Sequence, residues 1–206
     1  MPLPRRFYDR DVVAVAQDLL GAVIRRGAVA LRITEVEAYR WPGDTACHAR
    51  AGRTARNAAL FGPCGHAYVY LCYGLHHMLN LVTGGDAEAA AVLVRACEPL
   101  EGLATIRRRR GGKSGPELLT GPGKVAAALG LDRSMDAHPV YRPGELVVER
   151  GDAPASVLVG PRVGIDFAEP AHRVLPWRFA AAGTAWVSRP IASLVPLTSL
   201  RRDDRP

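Results

Sequence analysis

Two carboxylates, Glu35 and Glu37, stand two residues apart in a run, residues 29–39, that reads as a β-strand. A strand sends alternate side chains to one face, so both carboxylates share a face unless a bulge intervenes. Such a pair can be an ordinary solvated edge, or it can activate water if a cation meets it. Arg95 is the candidate cation. It sits in the otherwise apolar run 90–96, where an unpaired guanidinium would be costly to bury. Asn80 interrupts the apolar run 78–82 in the same way, because a buried amide needs partners for both its oxygen and its nitrogen. These polar intruders in one predicted sheet mark a candidate site; a structural network or a wet sheet face is the alternative.

His48 follows a loop of turn formers, Trp41-Pro42-Gly43-Asp44, and precedes a basic stretch, Arg50, Arg53 and Arg56. Taken alone it reads as a hydrogen-bonded loop histidine. Tyr68, Tyr70 and Tyr73 cluster in a chain with only 6% aromatic residues, and such rings can stack on a base or wedge between base pairs. Tyrosines in strands are usually half-buried packing residues, so at least one of the three is expected in the core. Tyr73 precedes Gly74, at a hairpin tip.

The elements that must position these residues follow from periodicity and punctuation. Asp9 or Asp11 caps a first helix with an apolar stripe of Val12, Val13, Ala16, Leu19 and Leu20, stopped by Gly21. Strands at 22–24 and 29–39 are joined by Arg25-Arg26-Gly27, and a short helix runs to Phe61. Strands at 67–73, 77–82 and 90–96 make an antiparallel meander through Gly74-Leu75-His76 and Thr83-Gly84-Gly85-Asp86. Residues 98–110 read as a helix opened by Pro99, and Gly121-Pro122-Gly123-Lys124 opens another running to Leu129. Strands at 145–149 and 155–164, a final stretch 177–188 and a frayed tail 201–206 complete the chain. The expected architecture is α+β: one domain over residues 1–206, with a curved, mostly antiparallel mixed sheet, surrounding helices and a protruding hairpin.

The chain's 206 residues, 48% hydrophobic and 23% charged, suffice for a core of their own and argue against disorder and membrane classes. Residues 1–10 contain no apolar leader segment, and the run 12–24 is broken by Gln17, Asp18 and Gly21. Cys47, Cys64, Cys72 and Cys97 form no CxxC pair, which points to a reducing cytosol and no structural zinc. A net charge of +7 with a pI near 9.7 suits a polyanionic partner, although ribosomal, membrane-surface and merely arginine-rich proteins share that balance.

In order along the chain, the segments Thr34-Glu35-Val36-Glu37-Ala38-Tyr39, Asp44 to His48, Ala67-Tyr68-Val69-Tyr70-Leu71-Cys72-Tyr73-Gly74 and Asn80 resemble the alkyladenine, or 3-methyladenine, DNA glycosylase family. Val92-Leu93-Val94-Arg95-Ala96, Glu98 to Gly102, Gly121-Pro122-Gly123-Lys124 and Arg162-Val163-Gly164-Ile165 extend the resemblance over nearly the whole chain. It implies a monofunctional enzyme that flips a damaged purine out of duplex DNA, with Glu37 as the base that activates water and Arg95 orienting base and water. It also implies a base pocket of Tyr39, His48, Tyr70 and Asn80, with Tyr73 wedged into the minor groove. Arg50, Arg53, Arg56 and Lys124 are candidate contacts to the DNA backbone. No cofactor and no metal are expected, the partner is double-stranded DNA carrying damaged purines, and the protein is expected as a cytoplasmic, nucleoid-associated monomer without membrane contact. The stretch 107–115 is glycine-richer than its family counterpart, and His76 and His77 stand where the family has aromatics. No lysine stands near Glu37, which argues against Schiff-base chemistry.

Two other readings compete. Glu35, Glu37, Asp44 and His48 could ligate a metal in a nuclease or hydrolase, with Arg95 as electrophile. A non-catalytic damage binder would need only the charge and the tyrosines, and leaves Glu37 and Arg95 unexplained.

Overall fold

The computed structural model describes residues 1–84 and 89–199. Two short helices, α1 (Arg5–Tyr8) and α2 (Val12–Asp18), lead into a hairpin of β1 (Val23–Arg26) and β2 (Val29–Trp41). A meander of β3 (Ala67–Cys72), β4 (His76–Thr83) and β5 (Ala89–Glu101) follows, then α3 (Leu103–Arg109) and α4 (Pro122–Leu129). The chain continues through β6 (Val147–Glu149), β7 (Val157–Gly160), α5 (Pro170–Arg173), β8 (Arg178–Ala181) and β9 (Val195–Pro196). The strands join one open sheet in the order β3-β4-β5-β2-β8-β7-β9, with β1 pairing both β2 and β6. Every strand pairing among the described residues is antiparallel. This is the α+β sheet expected from the sequence.

Side-chain parity divides the sheet into a core face and a site face. Val69, Leu79, Leu81, Ala90, Val92 and Val94 join the main core with residues of α2 and α4. Their alternates, Tyr68, Tyr70, Asn80, Leu93 and Arg95, line a cavity on the opposite face. On β2 the parity switches. Leu31 and Ile33 point into the core, and so do Val36 and Ala38, because the register with β5 shifts on both sides of Glu35. This irregularity turns Glu35, Glu37 and Tyr39 to the site face; an unbroken strand would have driven the two carboxylates into the apolar core.

Asp11 caps α2, its side chain accepting from Val13 N and Ala14 N at 2.9 and 3.1 Å. Of Tyr68, Tyr70 and Tyr73, Tyr68 is the buried one, at 3% exposure, whereas Tyr73 stands at 90% on the β3–β4 turn. The turn is closed by Leu75 N donating to the Cys72 carbonyl at 2.9 Å. Tyr73 (φ 49°) and Gly74 (φ 69°) are both left-handed, a conformation that costs a bulky residue strain.

Several expectations need correction. Residues 98–101 extend β5 instead of opening a helix; the long β2 offers them pairing partners, and Pro99 sits opposite Leu31 where the register shifts. Gly102 (φ 77°) then turns the chain into α3. Arg25 and Arg26 belong to β1, leaving Gly27-Ala28 as the hairpin turn. The predicted strands 155–164 and 177–188 shrink to β7 and β8, and the residues released become loops that reach the site. The expected turn through Gly85 and Asp86 and the tail 201–206 lie outside the described residues.

Gly102 is required by both conformation and space: a Cβ there would lie 2.4 Å from the Ala28 carbonyl oxygen, whereas at Gly27 (φ 54°) it would meet open space. Gly27→Ala is therefore expected to cost about 1–2 kcal/mol, the left-handed penalty alone, and Gly102→Ala clearly more, as read by chemical denaturation.

Candidate active site

A cavity of about 1070 Å³ opens on the site face of the sheet. Its floor is the sheet itself and its walls are the loops around His48 and Val163. The sheet brings together Tyr39 from β2, Arg95 from β5, Asn80 from β4 and Tyr70 from β3; the loop after β2 adds His48, Arg50 and Arg56, and Tyr73 reaches the cavity from the hairpin tip.

Glu37 lies behind this wall, fully buried, and three residues that do line the cavity hold it. Its Oε1 accepts from Val163 N at 2.8 Å and lies 3.2 Å from Arg95 Nη1, while Oε2 accepts from the Tyr39 hydroxyl at 2.7 Å. Burial, then the Glu37 charge, raise the Tyr39 phenol well above its ordinary value, so it remains a donor at physiological pH. Arg95 pairs with both carboxylates, its Nε lying 3.1 Å from Glu35 Oε1. Burial pulls the Arg95 pKa down, but Glu37 and Glu35 together outweigh it and the net shift is upward. The anionic partner that an arginine in an apolar strand demanded is thus a pair of carboxylates.

His48 Nδ1 shares a hydrogen bond with the Tyr68 hydroxyl at 3.1 Å, and its ring meets Tyr70 edge-on with centroids 4.4 Å apart. Partial burial, reinforced by Arg50 and Arg56, lowers the His48 pKa, which favours the neutral ring at pH 7. Burial holds the Tyr68 and Tyr70 phenols above their ordinary value. Asn80 Nδ2 donates to the Tyr68 carbonyl at 3.1 Å. Arg56 is anchored to the Leu71 carbonyl at 2.7 Å, and Arg50 lies over the Phe167 ring at 4.5 Å. Arg53 is exposed, and Lys124 lies in the first turn of α4; neither lines the cavity.

The four residues of the metal-ligand reading are not gathered. Asp44 forms a two-pronged pair with Arg162 at 2.6 and 2.9 Å, Glu35 is taken by arginines, and no cluster of three His, Cys, Asp or Glu side chains suited to a metal occurs among the described residues.

Arg162 is the functional neighbour that inspection of single residues missed. Its guanidinium also donates to the Ala38 carbonyl at 2.9 Å and the His172 carbonyl at 3.1 Å, and it lies between the rings of Tyr39 and Trp177, at 4.6 and 5.1 Å. One side chain thereby joins the strand bearing Glu37, the loop bearing His48 and the loop bearing Val163. Arg178 was missed too, although it carried the same signal as Arg95, an arginine inside an apolar run: it is fully buried and donates to Glu35 at 2.7 Å.

Residues 6–185 match the family model described as methylpurine-DNA glycosylase. A putative 3-methyladenine DNA glycosylase of Nitrosococcus oceani is 63% identical over 186 residues, 90% of this chain and 92% of that protein. The DNA-3-methyladenine glycosylase of Arabidopsis thaliana is 54% identical over 95% of this chain and 77% of its own length, and a putative 3-methyladenine DNA glycosylase of Methanocella arvoryzae is 47% identical over 91% and 96%. These matches define the class of the protein as a DNA glycosylase, an enzyme acting on N-glycosyl bonds. The chain belongs to the methylpurine-DNA glycosylase family.

Asp44→Ala would leave Arg162 buried beside Tyr39 without its counter-ion, and a loss of about 3–5 kcal/mol is expected in urea unfolding. Combining it with Arg162→Met removes the stranded charge, so the double variant is expected to lose less than the sum of the two single losses.

Proposed function

We propose that the enzyme removes alkylated or deaminated purines, of the 3-methyladenine, 7-methylguanine, hypoxanthine and ethenoadenine class, from duplex DNA by flipping the nucleotide into the cavity and directing water at C1′ of the sugar. The observation that carries this reading is the seating of Glu37: a buried carboxylate held by Arg95, Tyr39 and a backbone N–H, immediately behind an aromatic cavity wide enough for a purine.

Glycosylic cleavage develops positive charge on the sugar while the departing base takes up the bond's electrons. Glu37 accepts the proton of the attacking water and its charge stabilises the oxocarbenium-like sugar. Arg95, at the cavity wall, orients that water and the base. Tyr39, His48 and Tyr70 enclose the flipped base, and the neutral phenols and imidazole match the face of a cationic alkylated purine better than a charged ring would. Asn80, tied to the Tyr68 carbonyl, presents a fixed polar edge that rejects a normal purine bearing an exocyclic amine in that place. Tyr73 fills the space the base vacates; its left-handed backbone at an exposed tip is strain of the kind that functional turns retain. Arg50 and Arg56 at the mouth, with Arg53 nearby in sequence, meet the backbone phosphates of the same strand, and Lys124 contributes from α4.

Glu37→Gln keeps the size of the side chain and removes its basicity. Release of hypoxanthine or a methylated purine, measured under single-turnover conditions in excess chelator, is expected to fall by about 10²–10⁴-fold with duplex binding retained. Undiminished release would overturn the assignment of the base. Tyr73→Ala is expected to weaken capture of the flipped nucleotide by about 1–3 kcal/mol, the worth of one stacked ring, seen as a lower single-turnover rate on a paired lesion.

A further inference from the structure

Glu35 has no part in the reaction proposed above, yet it accepts four hydrogen bonds: from Arg95 Nε at 3.1 Å, Arg178 Nε at 2.7 Å, and the backbone N and Oγ of Ser188 at 2.6 and 2.8 Å. It is fully buried and does not line the cavity, so it touches neither base nor sugar. What it does touch is the far edge of Arg95. The Arg95 guanidinium is planar and rigid: Nε is held by Glu35, Nη2 approaches Ser188 Oγ at 3.3 Å, and Nη1 is the corner that meets Glu37 at 3.2 Å. With one edge of the fork fixed, the direction of the remaining corner is fixed as well.

We infer that Glu35, presented by Ser188 and Arg178, is the positioning residue that aims Arg95 at Glu37 and at the cavity. Arg178 secures the arrangement from the other side. Its two terminal nitrogens donate to the Pro190 and Ser188 carbonyls, both at 2.8 Å, so the loop after β8 is pinned to the same carboxylate it serves. The charges explain why both arginines are needed. Arg95 alone would face two fully buried carboxylates, whereas Arg95 and Arg178 against Glu35 and Glu37 leave a cluster without net charge. Ser188, 4% exposed, supplies two donors from an irregular segment that has no strand partner to satisfy its backbone, which is why the loss of strand beyond residue 181 matters to the site.

This inference rests on the reading of Glu37 and Arg95 as the reacting pair, and the two can fail separately. The experiment is a double-mutant cycle on single-turnover release of hypoxanthine from duplex DNA, with Glu37 intact throughout. Glu35→Gln is expected to slow release by about 10–100-fold, the scale on which a slightly misplaced group costs rate, while the Kd for the duplex is unchanged. In an Arg95→Gln background the same change is expected to cost nothing further, because Glu35 acts through Arg95 alone. A loss that is fully additive overturns the positioning role, and retained turnover in Glu37→Gln overturns the underlying reaction instead. Should Glu35→Gln fail to fold, Ser188→Ala removes a single hydroxyl from the same fork; a slower rate that disappears in the Arg95→Gln background supports the inference, and a full rate refutes it.

Discussion

Everything at this site depends on one guanidinium placed between two carboxylates that are fully buried in the free protein. Arg95, Glu35 and Glu37 would each be expensive to bury singly, and each is tolerable because the others are there. The cost of that arrangement is met by its geometry. Both carboxylates must face the same side of β2, that side must be the arginine-bearing face of the neighbouring β5, and a second cation must balance the pair. Spacing two apart supplies the first condition, the irregularity in β2 together with the β2–β5 pairing the second, and Arg178 from β8 the third. Three strands of one sheet therefore have to be in register before the charges can be buried, which couples assembly of the site to assembly of the fold.

The same bulge explains how much of this was legible in advance. Arg95 and Asn80 stood out because each interrupts an apolar run in which an unpaired polar group is costly, a local signal that survives in the sequence. The choice of Glu37 over Glu35 as the expected base came from the ordered resemblance, since spacing alone does not separate them. Residues 98–101 misled because Pro99 before a mixed run has the local signature of a helix start, while the deciding partner, β2, lies some seventy residues away in sequence. Ser188 was unreadable for the opposite reason: nothing about a serine in an irregular segment signals that its backbone N–H and hydroxyl will meet a buried carboxylate 153 positions earlier. Arg178, by contrast, could have been found by the rule that found Arg95.

The cavity combines parts of very different exposure. Around Glu37 and Tyr39, the Arg162–Asp44 pair ties β2 to both wall loops through bonds buried from solvent, so these two side chains sit in a frame formed before any ligand arrives. At the other extreme, Tyr73 and Leu75 project from a hairpin tip at 90% and 74% exposure. Only a partner that covers the tip can give those side chains an apolar environment. Buried, paired side chains thus frame the cavity, while the hairpin tip beside it stands exposed.

Charge follows the same division. The buried cluster is neutral in sum, so it contributes little field beyond the site, and the chain's excess of seven positive charges is left to groups that reach solvent. Among them, Arg50 is steadied by the Phe167 ring and Arg56 by the Leu71 carbonyl, at the mouth of the cavity. Guanidiniums held by one side retain free N–H groups on the other, which suits them to phosphates that arrive already spaced along a strand. Those cations also bear on His48: burial disfavours a protonated imidazole first, and Arg50 and Arg56 close by add to that effect. The two guanidiniums that give the cavity mouth its positive charge thus also help, after burial, to keep the His48 ring neutral.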